Sequence, residues 1–471
     1  MIAFIERKKL NSLALITEKE QLSYKEYIRL ILACSKELKE LGVGKGKKVA
    51  IVSENSAKYV LIILSILNLG AICVPINIRW PDAQIERALK EIECDLLITD
   101  RERRLNINSE CRSIYMDQLI LSGNKHLFED IDPDLERYAT VIFTSGSLGD
   151  PKPVLHSLGN HYYSALGSNS NILLAPGDVW GIFLPLYHVG GLSIIFRTLI
   201  SGSAIAVPAN RNSISEAIKS MNITHVSFVP TQLYRMLKNK ENIEVLRSVK
   251  AILLGGASVR ESLVRKAKEL DLPIYTTYGC TEMASQVTTT RPNDTIQHLL
   301  TSGRLLPYRE LVISEDGEIM VKGKTLFKGY MYKDGLVFPF EENGWFKTGD
   351  LGYLDKDGYL TVYGRKDNMF ISGGENIQPE EIEQKLTQIE GIVDAVVVAV
   401  EDEQWGHRPV AFVYREQEIT ESKIKNELEK MLPKYKIPDR VFFLPKNIYE
   451  KGLKLSRGYF KGMAKRIMEG V

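Results

Sequence analysis

Short apolar runs alternate with helical patterns from the N-terminus to about Thr290, and this alternation constrains the fold more than any other feature of the chain. Alternation of strands and helices on this scale predicts doubly wound α/β layers with parallel sheets. One predicted helix opens on a capping box, Ser23 with Glu26, and its periodic run to Leu41 ends at Gly42. The strand-like runs are at 48–53, 95–100, 179–186, 204–209, 225–230, 251–256 and 273–279.

The pattern changes after Thr290, where short strands joined by hairpin turns, as at Asp316-Gly317, predict a small β subdomain. A last unit of about a hundred residues has a helix from Pro379 to Gly391, a helix at 421–431, and strands at 395–400, 409–414 and 441–444. We therefore expect a large N-terminal domain, 1–366, made of two doubly wound α/β subdomains plus the β subdomain. A small α+β domain, 367–471, should follow it.

Size and charge exclude several classes of protein. The chain has 471 residues, enough for at least two domains, and 44% of them are hydrophobic. Its formal net charge is +2, which gives no reason to expect nucleic acid or an anionic membrane as a partner. The five cysteines are dispersed, without metal-ligand spacing, as is typical of reduced thiols in a cytoplasmic protein. The charged N-terminus is not a secretory signal.

One stretch has a length and composition similar to those of a membrane-spanning helix. Residues 59–76 carry no charge, and their length is near the lower limit for crossing a bilayer. Asn68-Leu69-Gly70 is a helix-stop signal, however, and Pro75 follows it. The pattern favours a buried helix followed by a short core strand.

Residues 143–154 carry the strongest chemical signal, the string Phe-Thr-Ser-Gly-Ser-Leu-Gly-Asp-Pro-Lys-Pro-Val. Glycines let backbone N–H groups turn toward a phosphate, hydroxyls donate to its oxygens, and lysine supplies charge. The spacing from Gly146 to Lys152 equals that of a Walker loop, but Pro151 and Pro153 replace the residues that flank a Walker lysine. The pattern therefore predicts a phosphate loop of another kind. Its candidate ligands are Thr144, Ser145, Gly146, Ser147, Gly149 and Lys152.

This string resembles the phosphate loop of the acyl-adenylate-forming superfamily, which includes acyl- and aryl-CoA synthetases, adenylation domains of peptide synthetases, and luciferases. The resemblance covers nearly the whole chain, because further matches follow in the expected order. They are Leu-Gly-Gly-Ala at 254–257, Tyr-Gly-Cys-Thr-Glu at 278–282, Lys-Thr-Gly-Asp at 347–350 and Tyr-Gly-Arg-Lys-Asp at 363–367.

The resemblance implies that ATP, Mg²⁺ and coenzyme A are used. Gly255, Gly256, Ala257, Tyr278, Gly279 and Thr281 would surround the nucleotide. Glu282 would hold Mg²⁺, Asp350 and Arg365 would contact the ribose, and Asp367 would be the hinge. Gly373 and Gly374, within 372–379, would line the pantetheine tunnel after rotation of the C-terminal lid domain. Lys454, followed by Leu455 and Arg457 at the family's offsets, would be the catalytic lysine.

Arg197 bears on which carboxylic acid would be the substrate of a ligase of this family. The segment 185–191, which contains His188, resembles the family segment beside the acyl pocket, and Arg197 follows in an apolar helical pattern. Burying an unpaired guanidinium costs several kcal/mol, so a partner is expected. An internal salt bridge or an exposed helix face would also explain this arginine.

Three further segments, 159–168, 281–286 and 405–410, resemble those of the o-succinylbenzoate–CoA ligases of menaquinone synthesis. That substrate is a dicarboxylate, and one carboxylate remains to be recognised when the other is adenylated. The resemblance implies that His188, Arg197, Gly279 and Ser285 bind the acid, and that Lys454, Glu282, Thr281 and His188 serve catalysis.

Other acid ligases remain open. The alternatives are a ligase for a fatty or aryl monoacid, an adenylation enzyme that loads a carrier protein, and a nucleotide-binding paralogue without activity. Leu148, in the position of a loop threonine, and Pro153 depart from the family pattern. We expect small-molecule partners only, with no nucleic acid and no membrane span, and a homo-oligomer is compatible with the sequence.

Overall fold

A computed structural model describes residues 9–101, 105–108, 111–119, 134–144, 151–210, 213–445 and 457–468. Several residues singled out by the sequence lie outside this part of the chain, and their roles stay predictions. They are Ser145, Gly146, Ser147, Leu148 and Gly149 of the phosphate loop, and Lys454 with Leu455.

Strands and helices alternate through the first part of the chain, as predicted. Up to residue 119 they are β1 (Leu13–Ile16), β2 (Gln21–Ser23), α1 (Tyr24–Glu40), β3 (Lys48–Val52), α2 (Ala57–Asn68), β4 (Ile72–Pro75), α3 (Asp82–Glu91), β5 (Leu96–Thr99) and β6 (Arg112–Tyr115). From 138 to 305 they are β7 (Tyr138–Phe143), β8 (Pro153–Ser157), α4 (Leu158–Asn169), β9 (Val179–Gly181), α5 (Val189–Ser201), β10 (Ala204–Ala206), α6 (Ile214–Ser220), β11 (His225–Phe228), α7 (Pro230–Met236), α8 (Lys240–Ser248), β12 (Ala251–Leu254), α9 (Glu261–Glu269), β13 (Ile274–Cys280), β14 (Ser285–Thr289), α10 (Ile296–Leu299) and β15 (Arg304–Leu305).

Strands dominate the next part, and helices return near the C-terminus. The elements are β16 (Arg309–Ile313), β17 (Glu318–Gly323), β18 (Gly329–Tyr332), β19 (Gly335–Val337), β20 (Phe346–Leu354), β21 (Leu360–Arg365), β22 (Phe370–Ser372), β23 (Glu375–Ile377), α11 (Pro379–Leu386), β24 (Ile392–Asp402), β25 (Gly406–Arg415), α12 (Glu421–Glu429), β26 (Arg440–Phe443) and α13 (Arg457–Met468).

Two large sheets form the centre of the molecule. One has nine strands in the order β15-β14-β13-β12-β11-β9-β10-β1-β2, and the other has eight in the order β19-β18-β8-β7-β4-β3-β5-β6. The central strands of both sheets are parallel, from β13 to β1 in the first and from β7 to β6 in the second. The predicted α/β class is thereby confirmed for the described residues.

The alternation of side chains between the two faces of each strand explains why helices cover both faces of the sheets. In β3, Val49 and Ile51 pack with α1, α2 and α5, whereas Ala50 and Val52 pack with α3 on the other face. Successive side chains of a strand point to opposite faces, so a strand that is apolar throughout needs cover on both sides. The same holds for β12 in the nine-stranded sheet. Helices α1, α2, α4 and α5 therefore lie between the two sheets.

The uncharged stretch 59–76 is a buried helix, α2, followed by the core strand β4, which confirms the prediction. No helix among the described residues is long and apolar enough to cross a membrane. The capping box of α1 is also confirmed: Ser23 N donates to Glu26 Oε2 at 2.8 Å, and Glu26 N donates to Ser23 Oγ at 3.3 Å.

The parallel sheets also contain antiparallel strands, because β8, β14 and β2 return as hairpin partners of β7, β13 and β1. One detail of the predicted fold is wrong. The strand predicted at 179–186 ends at Gly181. Asn55 explains this end, since its side chain donates to Leu184 O at 2.8 Å and accepts from Leu186 N at 3.0 Å. These bonds occupy backbone groups of Leu184 and Leu186 that a longer strand would use.

The β subdomain is a four-stranded antiparallel sheet, β16-β17-β20-β21. The C-terminal elements have apolar clusters of their own around the sheet β24-β25-β26, as expected of a small α+β unit. Helix α11 begins at Pro379 as predicted but ends at Leu386, not at Gly391. The domain boundary between 366 and 367 stays a prediction.

A buried arginine joins the β subdomain to the large sheet. Arg309 Nε donates to Gln286 O on β14 at 2.6 Å, and Nη1 donates to Pro307 O at 2.7 Å. Its Nη2 donates to Ser164 O on α4 at 3.2 Å. These acceptors are neutral oxygens, so the buried guanidinium is held by backbone carbonyl groups of three segments and not by a carboxylate.

We expect Arg309→Met to lower the free energy of unfolding by about 3 kcal/mol, because it removes buried hydrogen bonds that join β14, α4 and the segment at Pro307. Urea denaturation measures the change. The matched control is Arg265→Met, which removes a half-exposed ion pair with Glu261 and should cost less than about 1 kcal/mol. Equal losses for the two variants would contradict the role of Arg309.

Candidate active site

The candidate phosphate loop joins two antiparallel strands. Thr144 follows β7, Lys152 precedes β8, and Thr144 N donates to Lys152 O at 3.0 Å. A Walker loop leads into a helix, whereas a strand follows Lys152. The fold therefore agrees with the prediction, made from Pro151 and Pro153, that this loop is not a Walker loop. Lys152 Nζ lies 5.3 Å from the centre of the Tyr330 ring.

The carboxyl ends of the central parallel strands bring several candidate residues together. Gly255 follows β12, where its N–H donates to Phe228 O at 3.2 Å, and Gly256 adopts a φ of 79°. A Cβ on Gly255 would lie 2.5 Å from Thr277 Cγ2 on β13, so a larger residue would push these strands apart. Ala257 continues this turn. Ligands of open α/β sheets bind at this edge.

Glu282 is carried by a short 3₁₀ turn, Thr281–Met283, that follows β13. Its side chain is half-buried, and this burial raises the pKa of the carboxyl, while the Tyr330 hydroxyl donates to Oε1 at 3.1 Å. The carboxylate is therefore costly to keep charged without a cation. Mg²⁺ takes one or two protein carboxylates and completes its shell with water and phosphate oxygens, so a single glutamate fits this ion. The described residues hold no group of three or more metal-ligating side chains.

Tyr278, Asp350 and Arg365 form a hydrogen-bonded row beside this turn. Tyr278 OH donates to Asp350 Oδ2 at 2.6 Å, and Arg365 Nη1 donates to Asp350 Oδ1 at 3.1 Å. Burial raises the pKa of Asp350, and the charge of Arg365 opposes that change. Arg365 Nη2 also donates to Asp367 Oδ2 at 3.0 Å. The predicted ribose-binding residues and the predicted hinge therefore lie in one network.

The candidate acyl side is centred on Arg197. His188 is the N-cap residue of α5, and Arg197 lies further along the helix with 1% of its surface exposed. Its Nη2 donates to Ser285 Oγ at 3.1 Å, and its guanidinium carbon lies 5.0 Å from the centre of the Trp180 ring. Among the described residues, Nε and Nη1 have no hydrogen-bond partner. Burial lowers the pKa of Arg197 to about 9.

These contacts exclude both of the simpler explanations for Arg197 within the described chain. The side chain is not on an exposed helix face, and no described carboxylate forms a salt bridge with it. Within the part of the chain that the structure describes, Arg197 is therefore a buried cation without a counter-ion, next to Ser285.

Gly279 and Ser285 meet across the β13–β14 hairpin. The hairpin has a bulge after Tyr278, and the chain returns through Ala284 and Ser285, whose φ angles are 52° and 116°. A Cβ on Gly279 would lie 1.9 Å from Ser285 O, so only glycine fits there. The hairpin thereby holds the Ser285 hydroxyl against Arg197.

Gly373 and Gly374 form the two-residue turn between β22 and β23. Both have positive φ, 57° and 86°, as the tight hairpin turn requires. Gly373 N donates to Trp405 O at 2.9 Å, and a Cβ on Gly373 would lie 2.6 Å from the Trp405 ring. This turn lies in the C-terminal unit, apart from the strand edge described above.

Comparisons with known proteins agree with this geometry. The family model described as "AMP-binding enzyme" matches residues 3–331, and that described as "AMP-binding enzyme C-terminal domain" matches 381–451. The chain belongs to the AMP-binding enzyme family. It is 35% identical over 451 residues to a 2-succinylbenzoate–CoA ligase of Oceanobacillus iheyensis, covering 91% of this chain and 92% of the relative.

Two solved structures of the o-succinylbenzoate CoA synthetase MenE from Bacillus subtilis are also similar. The complex with the acyl-adenylate OSB-AMP has a TM-score of 0.83 at 31% identity, covering 96% of this chain and 95% of that one. A double mutant bound to the product analogue OSB-NCoA has a TM-score of 0.68 at 31% identity, covering 93% and 92%. The arrangement of this chain is thus closer to that of the acyl-adenylate complex.

The interpretation of the sequence missed Tyr330 and His156, both of which touch the turn that carries Glu282. Tyr330 contacts Glu282, and His156 Nε2 lies 2.7 Å from Thr281 O. No local motif links either residue to the turn, because each lies on another strand. His156 does stand out as a histidine at the inner end of the phosphate hairpin, where every neighbour on β8 is buried.

The tautomer of His156 follows from its partners. A carbonyl oxygen accepts only, so Nε2 must carry the proton that is donated to Thr281 O. Its Nδ1 then accepts from Thr140 Oγ1 at 3.3 Å, and Thr140 accepts from His161 Nε2 at 2.8 Å. Burial lowers the pKa of His156 to about 4 and places that of His161 well below its ordinary value. Both rings are therefore neutral at pH 7.

This burial predicts a loss of stability in acid. Because the folded pKa of His156 is depressed, its neutral ring stabilises the fold above the unfolded pKa of about 6.5 and loses that contribution as pH falls toward 4. Between pH 7 and 4.5 the loss should be about 2–3 kcal/mol. In His156→Gln, which retains a donor for Thr281 O and an acceptor for Thr140, this part of the pH dependence should disappear. Urea unfolding of both proteins at each pH gives the difference, and identical pH profiles would contradict it.

Proposed function

We propose that the chain is an ATP-dependent 2-succinylbenzoate–CoA ligase of menaquinone biosynthesis. It converts 2-succinylbenzoate, ATP and CoA into 2-succinylbenzoyl-CoA, AMP and pyrophosphate. The family and the full-length similarity to 2-succinylbenzoate–CoA ligases support the reaction class. The observation that carries the choice of acid is the buried guanidinium of Arg197, whose Nε and Nη1 have no partner among the described residues.

A carboxylate would supply the hydrogen-bond acceptors and the negative charge that the Arg197 guanidinium lacks among the described residues. It accepts two parallel N–H bonds from the guanidinium and supplies the opposite charge, directly or through water. A dicarboxylate can present one carboxylate to ATP and the other to Arg197. The Ser285 hydroxyl accepts from Nη2, whose second N–H, with those of Nε and Nη1, would be left for the substrate carboxylate. Gly279, where a Cβ would lie 1.9 Å from Ser285 O, would line the site beside Ser285.

The first half-reaction is adenylation. An oxygen of the substrate carboxylate attacks the α-phosphate, a new O–P bond forms, and the bond from the α-phosphate to pyrophosphate breaks. Thr144 and Lys152, with the loop between them, would hold the phosphates, and Glu282 would hold Mg²⁺. When bound, Mg²⁺ neutralises the charge that develops on pyrophosphate. Lys454 would stabilise the charge between the carboxylate and the α-phosphate, where it acts more on the transition state than on the ground state.

The nucleoside contacts follow from the hydrogen-bonded row. Asp350 would accept from the ribose hydroxyls, and Arg365, which lies on the same carboxylate, would donate to the ribose. Tyr278 and the turn at Gly255, Gly256 and Ala257 would enclose the adenine. Thr281 and His188 would lie between the nucleotide and the acid.

The second half-reaction is transfer to CoA. The thiol attacks the acyl carbon, a C–S bond forms, and AMP leaves as the C–O bond to phosphate breaks. We propose that domain 367–471 rotates about Asp367 between the two steps, which withdraws Lys454 and brings Gly373 and Gly374 to the acyl-adenylate. Such a rotation of a lid domain can limit turnover. We propose that the enzyme acts in the cytoplasm.

Lys454 itself lies outside the described residues, but the helix that follows it is anchored. Arg457 Nη2 donates to Glu380 Oε1 at 2.9 Å, and the same guanidinium pairs with Glu383 on α11. We propose that Lys454, three residues before Arg457 in the sequence, moves with the C-terminal domain.

We expect Arg197→Met to lower kcat/KM for 2-succinylbenzoate by about a thousand-fold, because a site built for a carboxylate loses its recognition. The variant should unfold at the same temperature or higher, since it removes an unpaired buried charge. Pyrophosphate release is the measurement, and 4-oxo-4-phenylbutanoate, which lacks the ring carboxylate, is the comparison acid. Equal losses on both acids would contradict the assignment and favour a ligase for a monoacid.

We expect Lys454→Ala to slow acid-dependent formation of acyl-AMP by about 10² to 10³-fold. Transfer to CoA from acyl-AMP supplied in the assay should change by only a few-fold, because Lys454 acts in the first step. Lys451→Ala is the matched control in the same segment. An unchanged adenylation rate would favour a nucleotide-binding protein without this activity, and transfer to a holo-carrier protein instead of CoA would identify a carrier-loading enzyme.

A further inference from the structure

Two thiols lie side by side at one edge of the eight-stranded sheet. Cys94 comes two residues before β5, Cys111 comes directly before β6, and their sulfur atoms are 3.4 Å apart. Both residues are thiols in this structure, and both side chains are half-buried. The spacing of the cysteines in the sequence gave no sign of this pair, because it is the pairing of β5 with β6 that brings the two residues together.

The placement of the pair suits a covalent bond between the two sulfur atoms. β5 and β6 are parallel neighbours, with Leu96 opposite Arg112, and β6 is the last strand of the sheet. Neighbouring strands are about 4.8 Å apart, and a disulfide joins Cα atoms that are about 4.4–6.8 Å apart. From 3.4 Å, the sulfur atoms need to approach by about 1.4 Å to reach the length of a disulfide bond. Rotation of the two side chains can supply that movement.

Cys94 is held in place by the end of α3. Glu93 has a φ of 49°, and Cys94 N donates to Leu89 O at 3.0 Å, as in the Schellman ending of a helix. The Cys94 sulfur also donates to Leu96 O at 3.2 Å. Cys111 instead precedes the edge strand β6, whose side chains are mostly exposed. A small reagent from the solvent therefore meets Cys111 beside a fixed partner thiol.

The two thiols differ in acidity. The hydrogen bond with Cys94 lowers the pKa of Cys111, whereas the same bond, together with burial, raises the pKa of Cys94. Cys111 is therefore the thiol that ionises first, and the thiolate is the reactive form of cysteine. Burial raises the pKa of Cys34 to about 11 and also raises the pKa of Cys73 and of Cys280. These three thiols are therefore expected to react much more slowly.

We propose that Cys94 and Cys111 form a modification site at which hydrogen peroxide converts the dithiol into a disulfide. The Cys111 thiolate attacks one peroxide oxygen, so that an S–O bond forms and the O–O bond breaks. The hydroxide that leaves takes up the proton that Cys111 released. The Cys94 thiol then attacks the Cys111 sulfur: the S–S bond forms, the S–O bond breaks, and hydroxide leaves with the Cys94 proton as water. The two sulfur atoms lose two electrons, and the peroxide is reduced to two molecules of water.

This site lies at the opposite edge of the sheet from the candidate active site. β5 and β7 run in the same direction, because both are connected to β3 by parallel pairs. Thr144 follows the carboxyl end of β7, whereas Cys94 precedes the amino end of β5. The disulfide ties the last strand of the sheet, β6, to β5, so its effect is on the local opening of that strand. The inference is therefore independent of the proposed ligase activity.

Peptide mapping identifies the bond. The full chain is reduced, freed of reductant, treated with a small excess of hydrogen peroxide and alkylated after unfolding. We expect three of the five cysteines to be alkylated. Trypsin cleaves after Arg101 and Arg104, so peptides 91–101 and 105–112 should be recovered as one disulfide-linked species that a dithiol reductant separates. Recovery of these peptides only as unlinked species, or linked to another cysteine, would refute the proposal.

Single substitutions separate the roles of the two thiols. In Cys94→Ser, Cys111 should still react with peroxide, and its sulfenic acid should persist long enough to be labelled by dimedone. In Cys111→Ser, oxidation of Cys94 should be slower by about ten-fold or more. The matched control, Cys280→Ser, should form the disulfide at the rate of the unsubstituted chain. Equal rates of dimedone labelling in the first two variants would contradict the assignment of Cys111 as the reactive thiol.

Hydrogen exchange measures the effect on the fold. We expect the amides of β6, residues 112–115, to exchange about ten-fold more slowly in the oxidised chain, and a dithiol reductant should restore the faster exchange. The amides of β2, an edge strand of the other large sheet, serve as the control and should exchange at the same rate in both forms. Equal exchange of β6 in the oxidised and reduced chains would overturn the proposed effect on this strand. None of these measurements requires ATP or an acid substrate, so their outcome does not depend on the proposed function.

Discussion

The buried charge of Arg197 is the constraint around which the acid side of the site is organised. A guanidinium placed among apolar side chains destabilises a fold by several kcal/mol unless it is paired. The protein offsets part of that cost with the Trp180 ring and the Ser285 hydroxyl. The remaining donors face a region that the described side chains do not satisfy. The unpaired charge lowers the stability of the folded protein. An anion that bound to Arg197 would remove this cost, and the free energy recovered would add to its binding.

A second buried arginine makes the same region more positive. Arg309 is fully satisfied by neutral oxygens, and burial together with the charge of Arg197 lowers its pKa to about 9. Two cations that share one low-dielectric region attract an anion more strongly than either alone. On the nucleotide side the charges are reversed, since burial raises the pKa of both Glu282 and Asp350. A carboxylate substrate is thus attracted to the arginines, and cations are attracted to the acidic end.

Local patterns predicted the fold class because strand alternation and the capping box of α1 are local properties. The antiparallel edges of the sheets were not predictable in this way, since the return of β8 or β14 depends on hairpin pairing, not on the strand pattern. The premature end of β9 depends on Asn55, which is distant in sequence. For the site, the motifs found Asp350, Glu282 and Arg365, which the structure brings together. His156 and Tyr330 escaped because their contacts to residues 281 and 282 are made across strands.

The ionic character of the proposed hinge, residues 365–367, has a physical consequence for the proposed rotation of the C-terminal unit. Arg365, Lys366 and Asp367 each form salt bridges, yet their side chains remain between about one third and one half exposed. Ion pairs at such exposure are individually weak, in the range of about 0–1 kcal/mol. If the interface were apolar, each turn of the C-terminal unit would expose apolar surface to water and cost more free energy. Exposed charges, by contrast, exchange their partners for water at little net cost.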